Sequence, residues 1–179
     1  MDRDRSTFLV RLPQSVAGQA WLDPAAASMI RRSRRLLRSS KLIAAAQGKW
    51  LGHPLHPALT DLPIGFWTSA FMVDLVGGSG ANKTARRLIA WGNITAVPTA
   101  IAGLADAGEL GDDERRIAVV HGALNAAGIF AYVLSWIARR HPHRKVAIAS
   151  SIVGATLLSV AGHLGGDLAF NSRAVGSTG

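Results

Sequence analysis

His53, His56 and Asp61 stand at the head of an apolar run, in GHPLHPALTDLPIGFW, and similar residues recur at the ends of three other runs. Asp106 closes the second run, His121 opens the third with Asn125 one turn on, and His163 and Asp167 close the fourth. Imidazole and carboxylate groups in an apolar setting can ligate a metal ion, hold haem iron or pass protons. A plain membrane anchor needs none of them. Cysteine is absent, which removes disulfides, cysteine-ligated iron–sulfur clusters and covalently attached c-type haem. No nucleophile–base arrangement, phosphate-cradling loop or zinc-protease motif is present, so hydrolytic chemistry is disfavoured and other enzymatic activity is left open.

The runs that carry these residues are Pro57–Val76, Leu88–Leu104, Ile117–Ala138 and Val146–Phe170. Each is about the ~17–25 residues a helix needs to cross a bilayer. Their high Gly and Ala content is one that membrane helices allow. The chain has 179 residues, 49% of them hydrophobic, and a net charge of +9; that length reads as one domain. The expected fold is all-α, a four-helix transmembrane bundle over residues 50–175 preceded by a basic amphipathic helix. Its spans fall at about 55–77, 85–107, 117–138 and 145–170. The turns GGSGANK, GELGDDERR and RRHPHRK are short, so neighbouring spans are antiparallel. Pro98 should kink the second span. MDRDRSTFLV has no basic region followed by an apolar core, so no cleavable signal is expected.

Antiparallel connection puts the start of the first span, the end of the second, the start of the third and the end of the fourth on one side. All the residues above share that side. At ~1.5 Å rise per residue, Asp61, His121 and His163 lie roughly 6–8 Å inside their span ends. Small and polar stripes are expected to face the bundle interior. They are Asp61, Gly65, Thr68 and Met72; Thr95, Thr99 and Asp106; His121, Asn125, Gly128 and Tyr132; and Thr156, Ser159, His163 and Asp167. His53, Asp106 and Asp167 are close enough to the ends to be solvated. Asp74 reads as helix-end chemistry, and His141 and His143 as a solvated turn.

Half of the 20 Lys and Arg lie within residues 1–50. In RRSRRLLRSSK, residues Arg31, Arg34, Arg35, Arg38 and Lys41 share one helical face, and Met29, Ile30, Leu36, Leu37 and Ile43 largely another. The expectation is a basic amphipathic helix at 26–48 lying on anionic lipids, preceded by a flexible tail at 1–25. Nucleic-acid binding is the disfavoured reading of this run. Counting that helix, the positive-inside rule puts both termini in the cytoplasm and the bundle in the inner membrane.

GHPLHPALTDLPIGFW, GLADAGEL, RRIAVVHGALN and GHLGGDLAF together resemble the bacterial membrane family labelled domain of unknown function 2231, over roughly residues 50–175. The resemblance implies a four-helix membrane domain. Similar proteins fused to a Rieske-type ferredoxin imply redox chemistry and such a partner by analogy. The matching positions include His53, His56, Asp61, Asp106, His121, Asn125 and His163.

Two functions follow. One is a b-type haem protein that passes electrons, with His121 and His163 as ligands, His56 in reserve, Asp61 and Asn125 in the site wall, and Arg115 and Arg116 on the propionates. In the other, His56, Asp61, His121 and His163 form a divalent-metal or proton-linked site. A non-catalytic anchor or assembly protein is the bland alternative.

Overall fold

The computed structural model describes residues 5–141 and 143–170, and they form seven α-helices. They are α1 (Arg5–Ala17), α2 (Asp23–Leu36), α3 (Ser40–Ala46), α4 (Leu55–Val76), α5 (Asn82–Asp106), α6 (Asp112–Ala138) and α7 (Arg144–Phe170). The end of the expected domain, residues 171–175, lies outside the described residues.

Among the described residues three helices are long and apolar enough to cross a membrane: α5, α6 and α7, with mean hydropathies of 1.5, 1.8 and 1.6 in their most apolar windows. The expected count of four spans is not reached on that measure. Helix α4 has 22 residues, but Pro57, Pro63, Asp61, Asp74 and several small polar residues dilute its apolar character. Helix α5 remains one helix through Pro98. Helix α6 starts earlier than expected because Asp112, Asp113 and Glu114 occupy its first turn, where carboxylates meet the positive end of the helix dipole. Glu114 also accepts a hydrogen bond from the Gly111 N–H at 2.7 Å, which satisfies a donor that the helix start leaves open.

Helix α4 packs along α5 and α6 along α7, and the two hairpins meet chiefly through α5 and α6. Between them the rings of Trp67 and Tyr132 stack with centroids 4.4 Å apart and planes within 5°. Ala85, Ile89, Ala96 and Ala70 pack around that stack. Such a stack contributes about 0.5–1.5 kcal/mol beyond its buried area. At the far end Asp74 and Arg139 form an ion pair, closed by a second Arg139 Nη1–Asp74 Oδ1 bond of 3.0 Å. Both side chains are buried.

The N-terminal segment departs from the expected tail and single helix. Residues 5–17 are helical, and the basic segment breaks between α2 and α3. Helix α2 buries Ala26 and Ser33 against the bundle and leaves Arg31, Arg34 and Arg35 exposed. Ser33 Oγ donates to Leu104 O at 2.8 Å. Arg116 holds the segment from the other hairpin, donating to Ala17 O at 2.7 Å and to Asp23 Oδ1 at 2.6 Å. The segment caps the end of the bundle that carries the histidines.

Candidate site: two anchored histidines

His56 enters the bundle one residue into α4, after Pro54 has set the approach of the chain. Its Nδ1 lies 2.9 Å from Thr99 O on α5. A carbonyl only accepts, so Nδ1 carries the proton and Nε2 keeps its lone pair. His121 on α6 repeats the arrangement, with Nδ1 2.8 Å from Ala161 O on α7. Each imidazole lies against a glycine of its partner helix, His56 on Gly103 and His121 on Gly165. The two rings are 6.2 Å apart, centroid to centroid, with planes at 89°. Thr60, one turn after His56, donates to His56 O at 2.8 Å. Asn125, one turn after His121, donates to His121 O at 2.9 Å and to His121 Nε2 at 3.1 Å.

These matches extend along both hairpins. HPALTDLPIGFW, from His56 to Trp67, corresponds residue for residue to HGALNAAGIFAY, from His121 to Tyr132. Gly92 leaves room for the Trp67 indole as Gly154 does for the Tyr132 ring. The same spacing aligns Asp74 with Arg139 and, on the partner helices, Ala85 with Ala147, both fully buried. The second hairpin is therefore a structural repeat of the first, running in the same direction, and each repeat supplies one histidine. Sequence reasoning missed Gly103 and the repeat; Gly165 is among the family-matching positions, but its contact with His121 was not foreseen. The shared pattern of His, Ala, Leu and Ile at matching intervals was the signal available for it.

The structure brings together His56, His121 and Asn125. It does not bring Asp61 to them: Asp61, Gly65, Thr68 and Met72 are all exposed, where an inward stripe was expected. Thr156 and Ser159 on α7 are exposed as well. His163 is half-buried two residues beyond the buried Ala161, so at 3.6 residues per turn it leaves α7 from nearly the opposite side. No three His, Asp or Glu side chains converge as a metal cluster among the described residues. The four-residue set His56, Asp61, His121 and His163 is therefore not assembled. Arg115 and Arg116 are engaged by Asp112, Asp113 and Asp23, and that occupies the groups expected to hold propionates.

Above His56, a cleft of about 350 Å³ opens between the α3–α4 turn and the end of α5. Gln47, Lys49, His53, Asp106 and Glu109 line it. His53 is thus a surface residue of this mouth.

Repeated hairpins of long apolar helices, with polar side chains gathered at one end, define an α-helical membrane protein with an internal duplication. The chain belongs to the family described as Predicted membrane protein (DUF2231), whose family model matches residues 52–178. No curated protein and no solved structure matches it.

Proposed function

We propose that α4–α7 form a four-span bundle in which His56 and His121 would hold a b-type haem used for electron transfer. The ring separation carries this reading. A ligating nitrogen lies about 2 Å from its metal, and the ring centre roughly 1 Å further, so two imidazoles on opposite sides of one ion have centres about 6 Å apart. The observed separation is 6.2 Å. Both Nδ1–H groups are held by carbonyls, and a ligand histidine characteristically secures its second nitrogen in this way. The haem would supply one-electron chemistry. The protein's part is to fix both tautomers, hold the rings at one depth and keep them from bulk water. Asn125 would turn its amide away from His121 Nε2. Helix α4 counts as the fourth span because it pairs with α5 as α6 pairs with α7. Relative to the sequence-based expectation, His56 replaces His163 as the partner of His121.

The Asn125 contact favours a second reading, a proton-linked imidazole pair in which His121 Nε2 already takes a hydrogen bond. On either reading the exposed Arg31, Arg34, Arg35, Arg38 and Lys41 suit anionic lipid, with both termini cytoplasmic in the inner membrane. A Rieske-type ferredoxin is the proposed redox partner on the first.

The test is an absorption spectrum of protein produced with ample haem. A Soret band should appear and shift on reduction. His56→Ala and His121→Ala should each abolish it, whereas His163→Ala and His141→Ala should leave it. A colourless protein retaining a metal that is lost with the same two substitutions would indicate a bare ion. Colourless, metal-free protein would refute cofactor binding.

A further inference from the structure

The end of the bundle opposite the histidines carries an unusual charge balance. Lys83, Arg86, Arg87, Arg139, Arg140, Arg144 and Lys145 gather there, at the starts of α5 and α7 and the end of α6. Between residues 62 and 105 and between residues 125 and 166 the one carboxylate side chain is Asp74. It is buried and committed to Arg139, with Arg144 behind it at 3.9 Å. Arg86 and Arg140 therefore have no acidic partner among the described residues.

Both nevertheless converge on one indole. The guanidinium carbon of Arg140 lies 4.2 Å from the centre of the Trp136 ring and that of Arg86 lies 5.7 Å from it. Two like charges no more than about 10 Å apart, within a Debye length, repel one another. Each cation gains from the ring, and an anion within reach of both would relieve their repulsion. Trp136 packs against the buried Trp67–Tyr132 cluster, so the indole is a fixed platform. Ile137 is 44% exposed and Val76 81% exposed at the same end of the bundle. Cations without acidic partners at the end of membrane-length helices lie where lipid phosphates do.

We propose that Arg86, Arg140 and Trp136 form a binding site for the phosphate of an anionic phospholipid. It lies at the other end of the molecule from the arginines of α2 and is independent of the haem reading. The test uses the full chain in neutral detergent, titrated with phosphatidylglycerol or phosphatidylcholine and read by native mass spectrometry. A basic residue at a membrane surface is worth about a fivefold preference for anionic lipid, so two give roughly twenty-five-fold. The preference of the full chain should fall by about that factor in Arg86→Gln/Arg140→Gln and be unchanged in Arg11→Gln, a substitution of an exposed arginine on α1. The single Arg140→Gln, at an exposed turn, should lose about fivefold and serves if the double variant does not fold. Equal binding of the two lipids, a preference kept by the double variant, or displacement by millimolar inorganic phosphate would overturn the proposal.

Discussion

Gly165 and Gly166 are neighbours on α7, and the structure assigns them opposite responses to the same substitution. A Cβ on Gly165 would lie 2.7 Å from His121 Cε1 and 3.0 Å from Nδ1. Ordinary carbon contacts begin near 3.5 Å, so the imidazole must withdraw by several tenths of an ångström. Its 2.8 Å bond to Ala161 O would be stretched and weakened in the process. Overpacking costs about 1–3 kcal/mol, and an unsatisfied buried polar group about 1–3 kcal/mol. Alanine recovers at most about 1 kcal/mol of helix propensity. Gly165→Ala should therefore destabilise the bundle by about 1–5 kcal/mol. Gly166→Ala meets nothing within 4 Å and should be neutral or stabilising. Thermal unfolding in detergent reads both, and ¹⁵N spectra of His121 report whether its tautomer stays fixed. Because the hairpins repeat, Gly103→Ala should resemble Gly165→Ala, acting through His56. Equal melting shifts for Gly165→Ala and Gly166→Ala would refute the reasoning.

Asp74→Leu should cost about 3–5 kcal/mol by stranding the buried Arg139, and Asp74→Leu/Arg139→Leu should recover most of it, as judged by the same melts. The hydrogen bond from Arg116 holds the Asp23 carboxyl below its usual range. Since that folded value lies below the unfolded one, the contribution is complete above about pH 4 and is lost as pH falls through the lowered value. Pepsin cleavage within α2 should accordingly speed up in strong acid, with a step that Asp23→Asn lacks; an identical profile for both proteins would dissociate the pair from docking of the cap.

The apolar runs were legible because length and hydropathy alone specify them, and α5–α7 follow. The inward faces of α5 and α6 were legible in part, since Thr99 and His121 bond to the carbonyls of Leu59 and Ala161 on neighbouring helices. The same rule fails on α4 and α7. Thr156 and Ser159 bond to the carbonyls of Ile152 and Ala155 at 3.0 and 2.8 Å, so their hydroxyls are satisfied within their own helix and need no neighbour. The buried face of α4 is Pro63, Trp67 and Ala70, which a search for polar stripes passes over. Placing His121 beside His56 required the register between hairpins, and that depends on which glycine admits which ring. The cap was misread because the arginines of α2 stood out, whereas the residues that dock it include the inconspicuous Ser33 within RRSRR, Ala26 and Asp23.

Asp74 and Arg139 occupy equivalent positions of the two repeats, and that has a consequence for assembly. Two copies of the first hairpin, joined in the same way, would set aspartate against aspartate. Two copies of the second would set arginine against arginine, in a buried place where neither charge could be compensated. Only unlike hairpins match. A newly inserted chain is thereby directed to close on itself, or to exchange halves with another chain, while like-with-like pairing is rejected. A symmetric dimer of separate hairpins could not carry this discrimination, because its two equivalent positions would always hold the same residue. Fusion of the halves into one polypeptide is what allows the lock and its key to differ.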